Sequence, residues 1–89
     1  MNWISHEIER QCRAAFAHHG LAIDESKPLR YFNEADSVAV AFPIVRVGWV
    51  MCAVSQDEVA QQPTEQAMLA LFEAKAEVCA ISVEEAAGA

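Results

Sequence analysis

The stretch "MLALFEAKAEVCAISV", Met68–Val83, decides the fold. Met68, Leu71, Phe72, Val78 and Cys79, with Lys75 between them, fall at steps of three and four, the spacing of one helix face. At its end Cys79, Ile81 and Val83 alternate instead, which would make "VCAISV" a fourth strand. The sequence reads better as a helix with Pro63 in its first turn and Glu65 near its positive end, which runs to about Ala80, with an irregular finish and a frayed tail over 84–89. Two residues in this helix are out of place. Lys75 falls in the middle of the apolar stripe, and Leu69 falls among the acids. A lysine there must snorkel to water, pair with an acid, or sit on a stripe that is not wholly buried.

Outward from that helix, the other elements follow. Ile4, Ile8, Cys12, Ala15 and Phe16 form one stripe of a helix from about Asn2 to His19. Glu9 and Arg13 are spaced to pair across one turn. Gly20 is a left-handed stop that would bring Leu21 back onto Phe16. "IDESKP" reads as a loop, Leu29–Phe32 as a short strand and "NEAD" as a turn. Ser37–Phe42 alternates Val38, Val40 and Phe42 with Ala39 and Ala41, so that one face is bulky and the other small; the small face suits lying under a helix. Pro43 marks an edge, a bulge or a turn. Ile44–Val54 is a β-branched run expected to be the central strand, with a bulge or close approach at Gly48 and Trp49 in the core. Ser55 followed by Glu58 fits a capping box and a single helical turn. The expected architecture is one α+β domain over residues 1–89. Its order is α-β-β-β-α, with a three-stranded antiparallel sheet and two helices packed on one face.

Composition narrows the function. A chain of 89 residues that is 54% hydrophobic can bury one core without disulfides or a metal. Its three cysteines, Cys12, Cys52 and Cys79, form no C-x-x-C or Cys/His ligand spacing, which suits free thiols in a reducing compartment. "MNWISHEIER" has neither a basic nor an apolar leader region, and "VGWVMCAV" is too short to span a bilayer. The expectation is a soluble cytoplasmic protein that does not act at a membrane. The net charge of −7 is uneven: residues 47–89 carry seven acids and Lys75 alone as a base. Without clustered basic residues, direct nucleic-acid binding is not expected, and a basic partner suits the chain better than an acidic one.

No catalytic pattern accompanies these charges. His18 and His19 end the first helix, where they suit its negative pole, and His6 lies on the other side. The cysteines fall on apolar positions and read as small buried hydrophobes. A Cys/His enzyme is therefore the weakest reading, and nothing in the pattern asks for a cofactor or a metal. Trp3 lies off the first helix's stripe and is expected to be partly exposed.

The acids of the last helix carry the functional content. Glu65, Glu73 and Glu77, with Asp57 and Glu58 nearby, make an acidic face with no lysine alternating through it. With Leu69 and Lys75 they are the candidate partner-binding residues. Such a face fits a basic surface on a larger protein or nucleoprotein complex. In size, acidity and lack of a catalytic constellation the chain resembles small phage and mobile-element inhibitors, anti-CRISPR proteins among them, although no particular residues carry that likeness. The alternative is a homo-oligomer, such as a homodimer, that uses the last helix and a sheet edge as its interface.

Overall fold

The computed structural model describes residues 3–88, so the expected start of the first helix at Asn2 and the last residue, Ala89, lie outside the described residues. Within them the order is α1 (Trp3–His18), β1 (Arg30–Asn33), β2 (Ser37–Ile44), β3 (Gly48–Ser55), α2 (Gln56–Ala60) and α3 (Glu65–Gly88). The strands form one antiparallel sheet in the order β1-β2-β3, with α1 and α3 on one face, as the pattern predicts.

α1 ends as its sequence dictates. Gly20 takes φ +72°, the Leu21 amide donates to the Phe16 carbonyl at 2.8 Å and the Gly20 amide to Ala17 at 3.1 Å. These are the two bonds of a Schellman cap, in a conformation glycine adopts without strain. Ile4, Ile8, Cys12 and Phe16 are all buried. The Phe16 ring meets Phe42 edge-on, with centroids 5.2 Å apart, and this pair ties α1 to the sheet.

The sheet corrects four expectations. β2, not the Ile44–Val54 run, is central, because that run folds back on itself. Val45–Val47 make a tight turn in which the Val47 amide donates to Ile44, with positive φ at Arg46 (71°) and Gly48 (106°). Gly48 therefore serves the turn, and a Cβ there would meet nothing within 4 Å, so there is no close approach. Pro43 lies inside the central strand opposite Trp49, near its end, where its missing amide costs least. Lastly, the bulky face of β2 lies under the helices: Val38, Val40, Phe42 and Ile44 join the core, and Ala39 and Ala41 point the other way. Burying valine, phenylalanine and isoleucine removes far more apolar area from water than burying alanine.

α3 is one unbroken helix of 24 residues, so residues 78–83 are helical and the helix continues through 84–88. Its buried stripe is Phe72, Ala76, Ala80 and Val83; of the expected face Phe72 is buried, Met68, Leu71 and Cys79 are partly buried against the core, and Val78 is exposed. Alanine at two of these four positions lets α3 approach α1 closely, and the separation of packed helices depends on the side chains at the contact. Leu69 is exposed by 38% and lies beside Glu65 and Glu7, among acids as expected. α2 is the expected short turn, with both bonds of the capping box formed between Ser55 and Glu58.

Candidate partner-binding surface

The expected acidic site does not assemble as one face. Glu58 faces Lys75: the ammonium lies 2.7 Å from Glu58 Oε2, while Glu58 Oε1 accepts the Ser55 amide at 3.1 Å. The lysine hydrogen bond, then the backbone one, holds the Glu58 carboxyl below its ordinary range. Lys75 is thus an internal partner of α2, at the border of the buried stripe, and its charge remains about 38% exposed.

Glu77 is engaged from the other side of α3. His19 Nε2 lies 2.6 Å from Glu77 Oε1, and its Nδ1 lies 2.5 Å from Glu84 Oε2. Carboxylates only accept, so both bonds form only when the imidazole carries two protons. Glu77, and then Glu84, accordingly raise the His19 pKa. The link spans α1 and the last turns of α3, the segment expected to fray. Glu73 sits beside Glu77, facing Gln11 and Ala14 of α1. Glu65 and Leu69 are at the far end, grouped with Met68, Glu7 and Trp3, which is 55% exposed and stands edge-on to Phe72. Asp57 is exposed on α2.

The structure gathers instead a surface that the sequence did not disclose. Tyr31 Oη donates to Glu9 of α1 at 2.7 Å, which puts Tyr31 on the helix side of the sheet and Arg30 and Phe32 on the opposite side. The register sets Arg30 beside Ala41 and Met51, Phe32 beside Ala39 and Ala53, and Pro43 beside Trp49. This face has no helix on it among the described residues. Its centre is a floor of two buried alanines, Ala39 and Ala41, with Ala53 exposed beside them, and its rim is Phe32, Trp49 and Met51, exposed by 38%, 42% and 57%. Trp49 is therefore a surface residue rather than a core one. The Arg30 guanidinium stacks 4.4 Å from its ring centroid.

The two ends of this face differ in charge. Arg30 and the turn residue Arg46 lie at one end. At the other, the Gln56 amide donates to the Asp36 carbonyl at 2.8 Å, drawing the β1–β2 turn to the start of α2. Glu34, Asp36 and Asp57 come to that end, all exposed and without an ion pair among the described residues. The alternation at 37–42 was the available signal for this face, but it shows that two faces exist and not which one is covered.

The three cysteines also converge. Cys12 and Cys52 are buried, and Cys79 is partly buried. The three thiols titrate as one cluster, in which sharing of the proton lowers Cys79 while the same sharing, with burial, pushes Cys12 upward. Cys52 and Cys79 border a groove of about 470 Å³ between β3 and α3. Among the described residues no group of three or more His, Cys, Asp or Glu is disposed to hold a metal, and no helix is long and apolar enough to cross a membrane.

No family model, curated protein or solved structure matches this chain.

Proposed function

We propose that this protein is a non-catalytic interaction module, an inhibitor or adaptor that binds a basic surface of a larger protein or nucleoprotein complex. The observation that carries the reading is the uncovered sheet face, with Phe32, Trp49 and Met51 standing around an alanine floor and Glu34, Asp36 and Asp57 at one end. Exposed aromatic and methionine side chains around a shallow apolar centre are the composition of an interface core. Unpaired carboxylates at its border supply steering toward positive charge. On this reading the contact lies on the sheet and at Asp57, away from Glu58, Glu77 and Lys75, whose charges are engaged within the fold. Three free thiols suit a reducing, cytoplasmic setting.

The test is fluorescence titration, through Trp49, with a pair of extended peptides of alternating apolar and charged residues, one cationic and one anionic. The cationic peptide should bind, and its affinity should fall at least about tenfold between low and 0.3 M salt as surface charge is screened. Glu34→Lys with Asp36→Lys should abolish the salt dependence, and Phe32→Ser with Met51→Ser should remove binding. Equal binding of both peptides, or of neither, would sink the reading.

A further inference from the structure

The two edges of the sheet are unequal. β1 is four residues long and opens with Arg30. β3 is eight residues long, "GWVMCAVS", and carries no charged residue and no proline. It pairs with β2 on one side, and no described segment pairs with the other. Natural edge strands are kept short, charged, bulged or covered, because an open edge templates further pairing. β3 has none of these protections. The groove beside it is lined by five consecutive residues, Trp49 through Ala53, as happens when a groove follows a strand's edge and not one of its faces. Its opposite wall is α3, at Val78, Cys79 and Ser82.

α3 shows a matching deficit. Besides its buried stripe it has a second apolar line, Leu71, Ala74, Val78 and Ile81, at steps of three, four and three. The fold leaves this line largely open: Val78 is 63% exposed and Ile81 43%. A helix that is apolar on both sides belongs between two layers, and this chain supplies one.

We infer that β3 pairs antiparallel with β3 of a second copy of this chain, forming a two-fold dimer with a continuous six-stranded sheet. Side chains directly opposite each other in such a pair point to the same face, so the axis passes through Met51 or Cys52. Either choice sets Arg46 of each copy beside the Gln56–Glu58 segment of the other. Arg46 and Asp57 are both exposed and have no ion pair among the described residues. The antiparallel arrangement therefore joins unlike charges twice, where a parallel one would set Arg46 beside Arg46. The axis keeps both α3 helices on the same side of the sheet, facing each other across the joint. This inference does not rest on the open-face reading: the dimer engages Asp57 but leaves Phe32, Met51, Glu34 and Asp36 of both open faces exposed, side by side.

Sedimentation equilibrium of the full chain, from about 1 to 500 µM, measures the association. The mass should rise from 9.8 kDa toward twice that value. Arg46→Asp should weaken dimerisation about tenfold or more, and Arg46→Asp with Asp57→Arg in the same chain should restore it to within about threefold. Val78→Glu, at an exposed site, should weaken it as well, with an unchanged far-ultraviolet spectrum. A chain that stays monomeric throughout overturns the proposal. So does a dimer indifferent to Arg46→Asp, or one that the charge exchange fails to rescue; binding of a foreign strand by a monomeric chain has the same force.

Discussion

Replacing Lys75 with methionine tests the account of its position most directly. The ammonium lies 2.7 Å from Glu58, with side-chain exposures of 38% and 37%, so the pair belongs to the solvent-screened regime. There its coupling is about 0.5–1 kcal/mol. Methionine keeps the aliphatic length against α3's neighbours and removes only the charge, so Lys75→Met should cost less than about 1 kcal/mol. Glu58→Gln should cost a similar amount, because the amide oxygen still accepts from Ser55. Glu58→Ala should cost about 1–2 kcal/mol, since it removes the reciprocal capping bond as well. Urea denaturation of the two single variants and the double variant, Lys75→Met with Glu58→Gln, at one low protein concentration isolates the pair. For a domain of this length 1 kcal/mol corresponds to about 4–8 °C in Tm. The pH dependence has a definite sign. The folded Glu58 pKa is lowered, so its contribution is present above the ordinary value of 4.5 and disappears as pH falls through the lowered one. A coupling above about 2 kcal/mol would mean a buried pair, and a coupling of zero would mean that the pair does not form; either result refutes the assignment.

Three further outcomes are expected. The His19 pKa is raised by Glu77 and Glu84, so its stabilisation is complete below the ordinary value of 6.5 and declines as pH climbs through the raised value. His19→Gln should flatten that decline, and hydrogen exchange in residues 84–88 should quicken in the variant at pH 6. Cys79 is partly buried beside the groove and Cys12 is fully buried, so Cys79 should be alkylated faster than Cys12 at neutral pH; mass spectrometry after Cys79→Ser should show the faster step gone. Phe16→Ala empties the contact with Phe42 and should destabilise the fold by about 3–5 kcal/mol in the same urea assay.

The elements that the sequence determined by itself are those whose partners are close along the chain. α1 follows from Ile4, Ile8, Cys12 and Phe16 and is stopped by Gly20. The turn of α2 follows from Ser55 and Glu58, and the helical nature of α3 from its periodicity. Each rests on hydrogen bonds between residues three to five apart, which neighbouring side chains encode directly. The β2–β3 hairpin was hidden because Val45, Arg46 and Val47 read as strand, and Arg46 takes a positive φ that its residue type does not announce.

Only the tertiary structure decided the rest. Alternation in β2 reveals two faces, and packing chose the one that buries Val38, Val40 and Phe42, leaving Phe32, Trp49 and Met51 around an open alanine floor. The buried stripe of α3 turned toward Ala76 and Ala80 because α1 approaches there, which sent Lys75 to Glu58 and Val78 outward. His19 meets Glu77 and Glu84, 58 and 65 residues away, and the three cysteines meet from α1, β3 and α3. Such pairings carry no local signature, because they arise when separate elements are docked and their side chains compete for the same space and the same water.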